Sequence, residues 1–246
     1  MSNSHTLIAI SAALFVALGC ATRDDDSAAA VDSAAPMEGE GTREVAAGGI
    51  AAAGWTGRVD PSAAADGQKL ENAKLEQKGD TLLVTTGPPV VYWNAANTVA
   101  GDYTVSATFH EPQYMNVNDH PHPYGLFIGG NDMGTEQQTY LYCAAYGNGN
   151  FIVRGFGPEP FQMNGRRGEA NAAVNKAAGK NLPVTQQISM SVKGDKVDCA
   201  INGTTVASYD KSAVIGAGKL KSTDGIYGIR FAHNTDGRVT ALAKTP

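Results

Sequence analysis

The sequence predicts an all-β fold, an antiparallel β-sandwich spanning residues 54–246 and preceded by a signal peptide and a disordered tether. Three observations predict it. Apolar residues alternate with period two rather than recurring every 3.6 positions. Gly-rich turn signals separate the alternating runs. The only helix-like stretch of the domain, residues 168–178, is rich in Ala and Asn and reads as a loop with a turn of helix. About a dozen short strands with hairpin turns close into a sandwich or barrel. No period of 20 to 50 residues suggests a propeller or solenoid.

The elements follow in order. Residues 7–18 are almost entirely apolar and end in Ala17-Leu18-Gly19-Cys20. That run has the length of a signal-peptide core and is too short to span a bilayer comfortably. Small residues before a Cys resemble a bacterial lipobox, which places the signal at residues 1–20 and implies acylation of Cys20. Two features depart from that pattern: residues 1–5 lack Lys and Arg, and the usual Leu-then-small order is not kept. The alternative is ordinary cleavage near the same point, giving a secreted protein. Ala21 and Thr22 follow the Cys, and by the same resemblance the address is the outer membrane or the periplasm-facing envelope.

Residues 21–53 hold 11 Ala and no aromatic residue. Such a segment buries too little apolar surface to offset its chain entropy, so the expectation is a disordered tether. Its flexible reach is about 30 Å.

The strands come next. Ala73–Lys78 and Thr81–Thr86 flank the turn Gly79-Asp80. Tyr103, Val105, Ala107 and Phe109 alternate with polar residues, as a strand buried on one face requires. Residues 124–128 form an apolar run expected to stop at Gly129-Gly130, and residues 139–146 and 151–156 flank a second Gly/Asn turn. Ile188, Met190 and Val192 lead to Gly194-Asp195; residues 197–201 and 204–209 flank Asn202-Gly203, a strong hairpin signal. Residues 226–232 and 239–242 close the chain.

Charge narrows the partners. The chain of 246 residues carries 24 acids and 19 bases, a net charge of -5. The tether holds seven of the acids and two of the bases, which leaves 17 of each for the domain. A neutral domain offers no basic face for nucleic acid and fits a neutral glycan better than a polyanion.

The run Tyr124-Gly125-Leu126-Phe127-Ile128-Gly129-Gly130, then Tyr140-Leu141-Tyr142, then Gly225-Ile226-Tyr227-Gly228-Ile229-Arg230 with His233-Asn234, resembles a concanavalin A-like lectin/glucanase jelly roll. It is similar to secreted bacterial domains of the 3-keto-disaccharide hydrolase type and to domains of unknown function. The resemblance implies two packed antiparallel sheets and a carbohydrate or glycoconjugate as the partner. Sandwich glucanases of this kind carry Glu-x-Asp-x-x-Glu on one strand, and this sequence has no such run.

Candidate chemistry is sparse. Asp119-His120-Pro121-His122-Pro123 sets two imidazoles at i and i+2 on a Pro-stiffened segment, where both point the same way. A divalent metal is the possible cofactor there, with Asp119 and His233 as further weak candidates. The alternative is a polar loop whose imidazoles cap backbone groups. Metal-assisted 3-keto-glycoside hydrolysis requires these groups to share one pocket, and no catalytic residue is otherwise assigned. Trp93, Phe156, Phe161, Arg154 and Arg166 suit sugar binding, rings stacking on C–H faces while guanidinium groups take hydroxyls. Trp93 and Phe156 could equally be core. A third reading is a non-catalytic structural or interaction protein of the envelope. Cys143 and Cys199 remain once Cys20 is set aside; export favours their pairing as a disulfide, against two buried thiols.

Overall fold

The computed structural model describes Met1 and residues 41–246. The expectations for residues 2–40, including the signal segment, Cys20 and most of the tether, lie outside the described residues.

The first strands are β1 Gly49–Ala51, β2 Trp55–Val59, β3 Ala73–Lys78, β4 Thr81–Thr86, β5 Val90–Val99 and β6 Tyr103–Glu111. The middle of the chain gives β7 Tyr124–Asn131, β8 Thr139–Ala145, β9 Asn150–Phe156, β10 Pro160–Gln162 and β11 Glu169–Ala170. The last are β12 Val184–Lys193, β13 Lys196–Ile201, β14 Thr204–Asp210, β15 Gly225–Phe231 and β16 Asp236–Thr245. Two short helices, α1 Pro61–Ala65 and α2 Lys211–Val214, sit between strands. The first sheet runs β1-β3-β4-β16-β6-β12-β13-β14. The second runs β10-β9-β8-β7-β15-β5-β2, with β11 also paired to β9. Only β1 and β3 pair parallel; the other ladders between these strands are antiparallel.

Alternation decides which face each residue takes. On β6, Tyr103, Val105, Ala107 and Phe109 are buried while the residues between them are half-exposed. They join Ile188, Met190 and Val192 of β12 and Tyr92, Leu126, Leu141, Val153 and Ile229 of the second sheet in one core. Residues buried between two sheets are removed from water on both sides, worth about 1.5–3 kcal/mol for each large side chain.

The structure departs from the sequence expectations in several places, among them the helices, which fall at Pro61–Ala65 and Lys211–Val214, and β16, which extends beyond 239–242 to Thr245. Strand β5 was not foreseen, because Val90-Val91-Tyr92-Trp93 is continuously apolar and shows no alternation. Both its faces are covered: Val90 and Tyr92 enter the main core, Val91 and Trp93 a second cluster. Strand β7 does not stop at Gly129-Gly130. Gly129 takes φ +63° and the strand continues to Asn131 through a register shift. Residues 168–178 form no helix; they hold β11, turns and a bridge from Asn148 to Lys176. The tether expected at 21–53 is too long at its C-terminal end. β1 pairs with β3, and Arg43 donates to the Thr86 carbonyl and, through both terminal nitrogens, to Asp236 at 3.1 and 2.7 Å. A bidentate charge-assisted pair and an edge ladder supply what the low apolar content does not.

Cys143 on β8 and Cys199 on β13 form a disulfide, with Cα atoms 5.9 Å apart. Since β8 and β13 belong to different sheets, the bridge staples the two layers through the core.

Candidate functional site

Two groups of side chains lie outside the main core between the sheets. The first joins the segment before β7 to the segment after β15. Ala232 N–H donates to the Pro123 carbonyl and ties the two together. Pro121 and Pro123 disfavour helical backbone at His120 and His122. After β15, Asn234 adopts φ +51° and the Thr235 hydroxyl donates to the His233 carbonyl, which turns the chain back.

These two segments bring His120, His122 and His233 together, one ligand nitrogen from each lying within 4.8 Å of the others. The His122 Nδ1–H donates to the His233 carbonyl at 2.7 Å. The Asp119 carboxylate accepts from His120 Nδ1 at 2.6 Å. The two Nε2 atoms of His120 and His122 face each other at 2.8 Å. His122 is buried, whereas His120 and His233 are partly exposed. Burial first, then the neighbouring His233, pushes the His122 imidazole down to about 3, so it stays neutral with a lone pair available. Burial and His120 also lower His233. His120, His122 and His233 therefore converge. His110 is not part of it; its Nδ1 meets the Thr185 hydroxyl on the first sheet.

The second group lies on the outer face of the second sheet. Antiparallel register sets Gln162, Arg154, Tyr142, Phe127, Gly228, Trp93 and Thr56 side by side in one row across the sheet. Arg230 stands in the next row, opposite Gly125. A Cβ at Gly125 would meet the Cys143 carbonyl at 2.0 Å, so this position admits no side chain beside the guanidinium. Arg230 lies 4.9 Å from the Tyr142 ring and 5.1 Å from the Phe156 ring, and donates to both Asp60 carboxylate oxygens at 2.5 Å and to the Tyr140 hydroxyl at 3.2 Å. Burial opposes its charge, and Asp60 with the tyrosines outweighs that, so Arg230 is held firmly protonated.

The expected sugar-binding residues divide. Trp93 and Phe156 are only 6% exposed, and they pack with Phe127, Tyr140 and Tyr142 rather than face solvent. Phe156 stacks on Tyr140 with centroids 5.0 Å apart. Phe161 is half-buried against the main core, seated over Gly155, where a Cβ would meet its ring at 2.0 Å. As stacking platforms Trp93 and Phe156 are therefore covered, whereas Phe161 keeps part of its surface exposed. Arg166 is exposed, four residues beyond Gln162 of the row. Arg154 remains. It is half-buried, and its Nε is buried with no hydrogen-bond partner. Half-buried Tyr146 is close by: burial and Tyr142 push its phenol up, and Arg154 draws it back.

The sequence reading missed Tyr142, Tyr146, Asp60 and Arg230. The parity of the β8 run, which puts Tyr140 and Tyr142 on one face, was the available signal. The cross-sheet row depends on strand order, which no local pattern reveals.

No family model matches this chain, and no curated protein sequence matches it. Solved structures do. The carbohydrate binding module CBM66 from Bacillus subtilis aligns at TM-score 0.50 and 9% identity, over 78% of this chain and 96% of that one. A Bacillus subtilis protein of unknown function with a galectin-like fold aligns at TM-score 0.49 and 11% identity, over 77% and 88%. An endo-beta-1,3-glucanase from Pyrococcus furiosus aligns at TM-score 0.45 and 12% identity, over 78% and 89%. At such identities the likeness concerns the fold alone, an antiparallel β-sandwich, as the sequence predicts.

Proposed function

We propose that this protein binds a carbohydrate on the outer face of its second sheet, and that an acylated Cys20 holds it at the cell envelope. The observation that carries the binding reading is Arg154. Its Nε is buried without an acceptor from the protein, while its register neighbours are Tyr142 and Gln162. An unpaired buried donor costs about 1–3 kcal/mol, a cost that a ligand oxygen removes. Arg154, Tyr146 and the exposed Gln162 then present donors to hydroxyl or carboxylate oxygens of a saccharide. A carbohydrate binding module among the structures of the same fold supports the ligand class. The anchor reading is supported by the apolar run that ends at Cys20.

An oligosaccharide array followed by calorimetry on the best ligand tests the first part. Arg154→Ala is expected to weaken binding at least about tenfold, the equivalent of one charged hydrogen bond. Saturable binding unchanged in that variant would refute the site, and a blank array at high protein concentration would refute the ligand class. Membrane partitioning that survives Cys20→Ser would refute the anchor.

A further inference from the structure

The imidazole cluster stands independently of the carbohydrate site, and its geometry poses a problem of its own. The Nδ1 atoms of His120 and His122 are each committed as donors, one to the Asp119 carboxylate and the other to the His233 carbonyl. In a neutral imidazole the proton is thereby fixed on Nδ1 and the lone pair on Nε2. The two Nε2 lone pairs then face each other across 2.8 Å. Two acceptors at that distance repel unless a cation or an extra proton lies between them. The third imidazole, His233, contributes its own nitrogen within 4.8 Å of both.

We propose that His120, His122 and His233 bind one divalent transition-metal ion, Zn²⁺ foremost, with His120 and His122 coordinating through Nε2 and Asp119 acting as the outer-sphere acceptor. Three features support this choice. Three imidazoles suit a borderline ion such as Zn²⁺, while Ca²⁺ and Mg²⁺ require oxygen ligands. A carboxylate or a backbone carbonyl behind each ligating ring is the usual support of a histidine metal site, since it fixes both tautomer and orientation. The fit in size is also close. Zn–N bonds of about 2.0–2.1 Å at a tetrahedral angle set ligand nitrogens about 3.3 Å apart. The His120–His122 pair would open by about half an ångström, and His233 would close in by up to about 1.5 Å, movements that small ring rotations supply.

Burial completes the picture. His122 is the inner ligand, 5% exposed, whereas the side chain of His120 is 32% exposed. The ion would sit between this buried ligand and the two partly exposed ones.

The test uses the full chain, purified in chelator and then titrated with Zn²⁺ and Co²⁺. The expected result is one ion per chain, with the visible absorption of Co²⁺ in a nitrogen-containing site. His120→Asn and His233→Asn are each expected to weaken Zn²⁺ binding at least about 100-fold, and Asp119→Asn about 10- to 100-fold. His110→Asn, outside the cluster, is expected to bind as the wild type does. Cooperative melting in chelator verifies that each variant is folded; should His233→Asn fail this, the partly exposed His120 carries the test. Failure of the wild type to bind one Zn²⁺ more tightly than about 10 μM would overturn the proposal and leave a shared proton between the rings. Stoichiometric binding that persists in folded His120→Asn would overturn it as well. Sugar binding is scored separately, so either site can fail alone.

Discussion

Removing the Asp60 carboxylate should be among the most damaging single changes in the domain. Arg230 and Asp60 form a buried pair, each 8% exposed, far apart in sequence and joined by two hydrogen bonds. In Asp60→Ala the guanidinium keeps only the Tyr140 hydroxyl and the Tyr142 and Phe156 rings. An uncompensated buried charge of this kind costs about 3–5 kcal/mol, far above the 0–1 kcal/mol of a surface pair. With a urea slope of about 2 kcal/mol/M, the unfolding midpoint should fall by about 1.5–2.5 M. Burial also limits screening, so the loss should be nearly the same at 0.1 and 0.5 M salt, values chosen on either side of physiological strength. The companion variant Asp60→Leu/Arg230→Met removes both charges, and apolar replacement of a buried pair is typically neutral or stabilising. It should recover most of the loss. A cost below about 1 kcal/mol for Asp60→Ala would refute the buried-pair reasoning. So would a double variant as unstable as the single one.

Three other outcomes follow from the same structure. Opening the Cys143–Cys199 bridge, which spans 56 residues, should destabilise the domain by about 4 kcal/mol in the chain-entropy account; equal urea midpoints for wild type and Cys143→Ala/Cys199→Ala would refute its stapling role. Burial first, and Asp236 beside it, push the Glu111 carboxyl up to about 7, against the Met115 backbone and the Tyr124 hydroxyl, which lower it. The folded state therefore holds this proton more tightly than the unfolded one, so stability should fall as pH rises from about 4.5 to about 7, by on the order of 3 kcal/mol. Glu111→Gln should remove that decline, and an identical pH profile in the variant would contradict it. Gly125→Ala should destabilise by several kcal/mol, because its Cβ meets the Cys143 carbonyl at 2.0 Å and backbone must move; a loss below about 1 kcal/mol on urea unfolding would show that the strand accommodates it.

The fold was legible wherever one face of a strand meets the core and the other meets water. β3, β4, β6, β12 and β13 carry that alternation, and their turns are marked by Gly79-Asp80, Gly194-Asp195 and Asn202-Gly203. Where both faces are covered the period is silent: β7 and β8 were marked only by their apolar runs and bounding turns, and β5, without such a mark, was not legible. β5 starts with four consecutive buried residues, so its period is invisible. β1 is held at a sheet edge by main-chain pairing and the distant Arg43–Asp236 contact, neither of which leaves a mark in local composition.

The same contrast separates the two sites. The imidazole cluster could be anticipated because its first pair lies two residues apart on a stiff segment, so local geometry alone aligned it. Only the arrival of His233 required the fold. The outer face of the second sheet could not be anticipated, since its row runs across strands from Gln162 to Thr56 and is ordered by topology rather than by sequence. Trp93 and Phe156 misled for a related reason. A large ring on the outer parity of a sheet reads as a solvent-facing platform only if no other ring packs over it. Here Phe156 stands opposite Tyr140 and stacks on it, and Trp93, although its register partners are Gly228 and Thr56, is buried in the same cluster as Phe127, Tyr140 and Tyr142. What this face can still offer a ligand is the polar end of the row, where Arg154 has a donor without a partner. The Arg154 Nε, buried without a hydrogen-bond partner, is what sets this end of the face apart from the apolar cluster beside it.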